Sequence, residues 1–541
     1  MDFIKTALIT AIAITLYYLL IQWPNETQVY EANSELPIEN KAFTDSKDSL
    51  TDTLSPMEDV DVPSVPAVVR GVTYEVGNKD LLLYVDAKNG QIVGSELLSF
   101  KEDLGGESSL SLFGEVGGNL YLGNSGFYST SQGYLQPNFS DLSSKKGADG
   151  SVSFVLSGAN NSLFFERKMT FQERGYSVVV EDTITSGLDS EVSLTPYVVI
   201  ERNSINESGG GFLNPENFAY LGPVFSTQED VYEKYDFGDI NDAAYRKTSQ
   251  GGWVALIQHY FLTAWIPNQK ESYKYQGQWS ESSKRYVLGY TSQNKVLSPG
   301  GEVKTNNKLY VGPKYPAELS QIEENLDLTV DYGFLFWLGK PMYWVLEKGE
   351  GFFNNWGLAI VFLTVMVKLL TWPLSAKAYT NMGKMRVLMP QQLEIQARHA
   401  DDKQKAGQAM MDLYRKEGVN PLGGCLPLLL QMPFFLAFYW VLLETVQLRH
   451  SGFLWLDDLS AMDPYFILPI LNALGMYWSQ KMTPSPPSAD PVQATMMKFM
   501  PVMFGVLFAW FPSGLVLYWL TNMFIQIIQQ WWYSRTPISS K

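Results

Sequence analysis

The 541-residue sequence predicts a multi-span α-helical membrane protein of six transmembrane helices that carries one large antiparallel β-sandwich domain. Three observations lead there. From about Asp331 onward the chain is dense in Leu, Phe, Met and Trp, with apolar runs of membrane-spanning length. From about Val65 to Gly312 short alternating segments recur between Gly, Asn and Ser turns, with no long amphipathic helix among them. An isolated apolar run stands at the amino terminus, before an acidic stretch.

Composition narrows the function classes. The formal net charge of −16 argues against a DNA-binding protein, which would show a basic face. Cys425 is the one cysteine, so an internal disulfide is impossible. His259, His399 and His450 are far apart in sequence and no CxxC pair occurs, so no metal or other cofactor is expected. The sequence contains no GxxxxGK[ST] loop and no nucleophile elbow, and it reads as a protein that is not an enzyme.

The elements follow in order. MDFIKTALITAIAITLYYLLIQW (1–23) is apolar over a longer run than a signal h-region, and no small-x-small site follows it, so it reads as an uncleaved first span. Residues 24–64 hold ten carboxylates against two lysines, with few large apolar residues, and read as a disordered tether carrying half the net charge. Residues 65–330 form the β-sandwich; LLLYVDAKNGQIVGSELLSF places two strands around an Asn89-Gly90 hairpin turn, and YSVVVEDTITSGLDSEVSLTPYVVIE repeats the pattern around Gly187. Residues 331–355 are aromatic but interrupted by Lys340, Pro341, Lys348 and Glu350, the profile of an amphipathic helix lying in the membrane interface.

Further spans are expected at 356–374 (second), 422–446 (third) and 464–482 (fourth). The final apolar stretch is too long for one crossing and is broken at Phe511-Pro512-Ser513-Gly514, giving a fifth span at 499–511, a sixth at 515–533 and a tail at 534–541. Residues 375–421 contain two helical patterns separated around Ala400-Asp401-Asp402, an antiparallel hairpin with a Met-rich face suited to self-packing or to adaptable contacts. Eight Lys and Arg side chains lie in that hairpin, whereas the loop between the third and fourth spans carries only Arg449. The positive-inside rule makes the hairpin cytoplasmic, which puts both termini in the cytoplasm and the β-domain outside.

Inside the spans several polar residues share faces. Thr364, Lys368 and Thr371 are spaced four and three apart; Asn522, Gln526, Gln529 and Gln530 line one face of the last span; Gln431 and Asn472 add an amide each. Buried amides and an ammonium need partners or water, and several spans with polar faces suggest a hydrated cavity within the bundle. Simpler readings exist. Lys368 lies six residues from the inner end of its span, about 9 Å at 1.5 Å per residue, within reach of snorkelling. Thr364 can bond to its own helix backbone.

Six stretches carry a specific resemblance: GGWVALIQHYFLTAWIP (251–267), LDLTVDYG (326–333), VNPLGGC (419–425), QMPFFLAFY (431–439), LSAMDPYFILPIL (459–471) and FPSGLVLYW (511–519). In order and spacing they resemble the YidC-type membrane protein insertases of Gram-negative bacteria, within the Oxa/Alb family, over almost the whole chain. The resemblance implies a five-span insertase core, a periplasmic β-supersandwich, and a groove open to cytoplasm and lipid but closed towards the periplasm. It implies groove-lining roles for Lys368, where the family usually has arginine, for Thr364, and for Trp519, where the family often has tyrosine. Gln431, Asn522 and Gln526 join them as candidate substrate-binding residues on their position in the spans.

The implied function is insertion and folding of newly made inner-membrane proteins, alone or beside the Sec translocon, with no chemistry on the substrate. The implied partners are nascent membrane proteins and the lipid bilayer, with the ribosome and the signal recognition particle receptor as further candidates. Two other classes fit parts of the sequence: a small-solute transporter or channel, although no repeat between spans is visible, and a membrane-anchored envelope enzyme or sugar-binding module, whose scattered Asp and Glu sequence cannot pair across a cleft.

Overall fold

The alternating segments of the middle region pair into two antiparallel sheets. The computed structural model describes residues 71–116, 119–203, 219–399, 402–420, 426–482 and 491–535; the expected first span (1–23) and acidic tether (24–64) lie outside them. One sheet runs in the order Thr73–Gly77, Leu81–Asp86, Ile92–Lys101, Asn119–Ser129, Val192–Arg202, Arg285–Ser292, Ser272–Ser280, Tyr245–Gln250. The other runs Glu233–Lys234, Leu221–Ser226, Trp253–Gln258, Phe261–Ile266, Glu302–Pro313, Ser177–Ser186, Leu163–Phe171, Val152–Asn160, Phe139–Lys146.

Local chemistry sets the turns. Strands Leu81–Asp86 and Ile92–Lys101 pair across the Asn89-Gly90 turn. There the Asp86 carboxylate accepts from the Lys88 and Asn89 amides, both at 3.0 Å, and Gly90 takes φ +73°, which a side chain would resist. The runs WVALIQ and FLTAWI do not alternate, because both of their faces are covered: Trp253 and Trp265 are fully buried, and the Trp253 indole donates to the Glu324 carbonyl at 3.3 Å. Polar stitches cross between the sheets. Arg167 of one bonds Asp182 at 2.6 Å and the Ser125 carbonyl of the other at 2.6 Å, and Ser125 Oγ donates to Asp182 at 2.5 Å.

The helices begin inside and beside this domain. Helix α1 (Phe237–Asp242) opens on a reciprocal cap between Asp236 and Asp239, and α2 (Pro316–Ile322) follows the last strand. Helix α3 (Phe336–Phe353) exposes Phe336, Trp337, Trp344 and Phe352 while burying Met342, Tyr343 and Leu346. Next come α4 (Trp356–Arg398), α5 (Lys403–Lys416), α6 (Leu426–Glu444), α7 (Ile467–Met482), α8 (Pro491–Phe508) and α9 (Ser513–Arg535).

Helix α4 does not stop near Leu374, where the sequence suggested the span's end. It continues for 43 residues through Pro373 and Pro390, about 65 Å at 1.5 Å per residue. Among the described residues it is the one helix long and apolar enough to cross a membrane by length and composition; Leu430–Glu444 and Lys498–Phe508 are shorter apolar helical stretches. Residues Gln391–Glu417 form a compact unit separate from the remainder of the described chain. Within that unit Arg398 pairs with Glu394 at 2.7 Å, and Asp402 caps α5 by accepting from the Gln404 and Lys405 amides.

The β-domain and the helices of the larger unit meet at a polar junction. Lys314, just past the last strand, forms a buried ion pair with Glu444 at the end of α6. His259, at the tight turn between two buried strands, bonds the Leu443 carbonyl at 2.9 Å. Burial, with the Lys314 ammonium nearby, holds the His259 imidazole down to about 3, so the ring is neutral and its Nε2–H is the donor. Arg449 donates to the carbonyls of Lys101 and Glu102. Lys234 pairs with Asp331 at 2.6 Å; burial of the Asp331 carboxylate raises its pKa, and the Lys234 charge and hydrogen bond, the Gly333 amide and the Lys314 charge together outweigh that, leaving it lowered. Asp331 also caps Gly333, which has φ +64° and lies where a Cβ would strike the Trp440 indole at 2.6 Å.

Candidate functional site: the polar interior of the helical bundle

A soluble bundle hides its apolar face and shows its polar one. Here the order is reversed. Leu369, Leu370, Ile470, Leu474, Trp478, Phe499, Val502, Met503, Phe524 and Ile528 are exposed, whereas Thr364, Lys368, Gln431, Asn472, Asn522, Gln529 and Gln530 are buried. Such a broad apolar exterior suits a hydrocarbon solvent.

Each buried polar side chain is held by its helix. On α4, Lys368 is 2% exposed, and its Nζ has no hydrogen-bond or ion-pair partner among the described residues. Thr364 donates to the Ile360 carbonyl at 2.7 Å and Thr371 to the Val367 carbonyl at 2.9 Å, so both hydroxyl protons are spent on their own helix. Their oxygens keep acceptor capacity on the face that Lys368 shares.

Helix α9 is the hub. Asn472 of α7 donates to the Val516 carbonyl at 3.1 Å, and Ser479 Oγ bonds Gln530 at 3.1 Å and Gln526 at 3.5 Å. These contacts make an α7–α9 polar ladder with members seven residues apart along α7. Trp519 packs its ring between Phe435 of α6, centroids 5.0 Å apart, and Phe508 of α8, 5.5 Å apart. Phe438 of α6 meets Tyr518 at 4.6 Å.

What the ladder does not absorb is informative. The Lys368 ammonium, the Gln431 and Trp519 N–H donors, and the Asn472, Asn522 and Gln529 side-chain oxygens are buried with no partner among the described residues. Each unpaired buried polar group costs about 1–3 kcal/mol, more for a charge. Donors, acceptors and one cation gathered inside an apolar shell can serve a polar or acidic segment that enters the bundle. No direct bond links Lys368 to Gln431, Asn522 or Trp519 among the described residues, so these groups are offered separately. No cluster of three His, Cys, Asp or Glu is placed to hold a metal ion among the described residues.

Sequence reasoning passed over two groups. Glu444 is the only acid in the apolar run 422–446, and the rule that flagged Lys368 would have flagged it. Ser479 went unnoticed because serine is common at helix ends; its role depends on Gln526 and Gln530 across the helix pair.

Comparison with known proteins adds an independent line. Residues 348–540 match the family model for the 60Kd inner membrane protein, and residues 73–345 match that for the YidC periplasmic domain. The chain is 37% identical over 556 aligned positions to the membrane protein insertase YidC of Azotobacter vinelandii, covering 99% of this chain and 98% of that one. It is 38% identical to the membrane protein insertase YidC of Cellvibrio japonicus, again with 99% and 98% covered. Among solved structures, an active YidC insertase with its first transmembrane domain resolved aligns at a TM-score of 0.39 and 19% identity, covering 85% of this chain and 92% of that one.

Proposed function

The chain belongs to the YidC family of membrane protein insertases, and from that premise we propose that it inserts newly made proteins into the inner membrane through the polar interior of its helical bundle. The observation that carries the mechanism is the reversed polarity: unpartnered buried donors, acceptors and an ammonium inside, apolar side chains outside.

The polar interior lowers the desolvation cost of the client segment that must cross. Lys368 attracts acidic residues in that segment, the Gln431 amide and Trp519 indole donate to its carbonyls, and the Asn522 oxygen accepts from its amides. Thr364 offers only acceptor capacity, since its proton is spent on Ile360. Gln526, loosely bonded to Ser479 at 3.5 Å, can turn to the client. The apolar part of the client then leaves sideways into lipid, driven by burial worth ~25 cal/mol per Å².

In this reading the chain crosses the inner membrane six times, including the expected span at 1–23, with both termini and the 375–421 hairpin cytoplasmic and the β-domain periplasmic. Helix α3, with Trp337, Trp344 and Phe352 exposed, lies in the outer interface. The Sec translocon, the ribosome and the signal recognition particle receptor are the partners this role would engage. No feature favours a small-solute pathway or an envelope enzyme to a similar degree, and the relatives matched over nearly the whole chain carry the insertase name. The deciding experiment is reconstitution into liposomes without nucleotide. A two-span client should become protease-protected only when this protein is present, and equal protection in empty liposomes would overturn the proposal.

A further inference from the structure

One corner of the helical bundle, away from the polar interior, gathers cations at the end of an apolar face. Helix α7 exposes Ile467, Ile470, Leu471, Leu474, Tyr477 and Trp478. Their spacing of three and four residues makes one continuous stripe down a single helix face. Lys481 follows at the same spacing and is exposed. Its ammonium lies over the Tyr477 ring, 4.6 Å from the centroid. The stripe is apolar along its length and cationic at its end.

Helix α8 runs beside it with a second stripe. Phe499, Val502, Met503 and Val506 are exposed at helical spacing, and Lys498 is exposed next to the first of them. The helices approach closely at Gly505, where a Cβ would stand 2.8 Å from the Ala473 Cβ. A bridge between Met462 and Pro512 joins the start of α7 to the end of α8, so the two are antiparallel. Measured from the Ala473–Gly505 approach, Lys481 is then roughly 12 Å along α7 and Lys498 roughly 10 Å back along α8, at 1.5 Å per residue. The two ammonium groups stand at one level.

Arg386 of α4 completes the corner. Its guanidinium donates to the carbonyl of Met482, the residue after Lys481. Among the described residues none of the three cations has an ion-pair partner. Helices α7 and α8 contain no Asp or Glu, and α4 contains none from Trp356 to Leu393. Asp490, just before α8, lies outside the described residues.

The ligand must use both the charge and the stripes. A nucleic acid or an acidic protein would meet the cations but not Leu474, Tyr477 and Trp478, which continue from them without a break. A free phosphate would leave the same side chains uncovered. A phospholipid satisfies both: its phosphate accepts from a guanidinium fork and two ammonium groups, and its acyl chains lie along the stripes. We propose that Arg386, Lys481 and Lys498 form a binding site for the headgroup of an anionic phospholipid of the inner leaflet, separate from the insertion path. The site rests on the orientation proposed above, with the 375–421 hairpin cytoplasmic.

The test is native mass spectrometry of the full chain. The protein is reconstituted into vesicles of equal parts phosphatidylglycerol and phosphatidylcholine with matched acyl chains, extracted in mild detergent, and its retained lipids are counted. Wild type should retain phosphatidylglycerol in preference, and glycerol phosphate, the headgroup without chains, should not displace it. Lys498→Gln should lower that preference about fivefold, the worth of one cation near the membrane surface, and Arg386→Gln/Lys481→Gln should abolish it. Arg415→Gln/Lys416→Gln, an equal loss of charge in the hairpin, should keep it. Circular dichroism establishes that each variant is folded. Equal retention of the two lipids by wild type, displacement by glycerol phosphate, or the same loss in the hairpin variant would overturn the proposal. Weakened co-sedimentation of Arg386→Gln/Lys481→Gln with ribosomes, at unchanged lipid preference, would assign the corner to RNA and overturn it as well. Lipid retention is read without any insertion step, so its failure is distinguishable from failure of the insertase reading.

Discussion

Lys314 and Glu444 form an ion pair sealed from solvent on both sides, with side-chain exposures of 1% and 6%, at the point where the β-domain meets α6. Two charges withdrawn from water in this way hold each other in place, and each is expensive without the other. Removing one partner of a buried pair costs roughly 3–5 kcal/mol, whereas replacing both with apolar groups of similar volume is often neutral. Glu444→Gln and Lys314→Met should each lower the thermal unfolding midpoint of the purified protein and speed proteolysis at the junction. Lys314→Met combined with Glu444→Leu should recover most of the loss. Additive destabilisation in the double variant would show that the pair does not act as a unit.

The groove charge predicts opposite movements of stability and activity. Lys368→Ala removes a cost of roughly 2.5–3.5 kcal/mol on insertion scales and should raise bundle stability. It should also weaken insertion of clients whose crossing segment is acidic. Lys368→Arg should retain activity, and Lys368→Glu should be the worst, since like charges meet in a medium less screening than bulk water. Matched clients differing only in the acidity of that segment provide the readout. Equal activity of all three variants on every client would remove Lys368 from the mechanism.

Asn472 tests the α7–α9 ladder. Asn472→Leu removes its bond to the Val516 carbonyl. Interhelical hydrogen bonds in bilayers average about 0.6 kcal/mol and reach about 1.7. A loss within that range in a denaturant titration, with client crosslinking to Lys368-containing turns preserved, is the expected outcome. A loss several times larger would mean that Asn472 holds more than one helix pair.

His259 gives the junction a pH signature. Its folded pKa, about 3, lies below the ordinary value of 6.5. The folded state therefore binds fewer protons than the unfolded one. The stability it contributes is fully present above about pH 6.5 and is lost as pH falls from there towards the folded value, at roughly 1.4 kcal/mol per pH unit within the window. Thermal midpoints measured from pH 7 down to pH 4 should decline, and the decline should flatten in His259→Gln. An unchanged slope in that variant would assign the acid sensitivity to other groups.

The legible part of the fold was local. Asn89-Gly90 announced a hairpin because the turn needs a residue tolerant of positive φ, and Gly90 supplies it. Lys368 stood out because an ammonium in an apolar run demands a reason, and its burial without a partner is that reason stated in structure. The continuity of α4 was not legible because the apolar run ends near Leu374, whereas the helix runs on through Pro373 and into the charged stretch beyond. The Lys314–Glu444 pair spans 130 residues and was invisible, since only the folded chain brings positions so far apart together.

Outside the two ion pairs, the acceptors named at the junction are main-chain oxygens: His259 reaches the carbonyl of Leu443, and Arg449 the carbonyls of Lys101 and Glu102. A carbonyl presents the same lone pairs whatever side chain it carries. The docking of the β-domain is thus written in two donor side chains and two ion pairs, while the exposed positions 101 and 102 are free to drift. Lineages can exchange surface residues on that side without renegotiating the joint, provided the path of the backbone is kept.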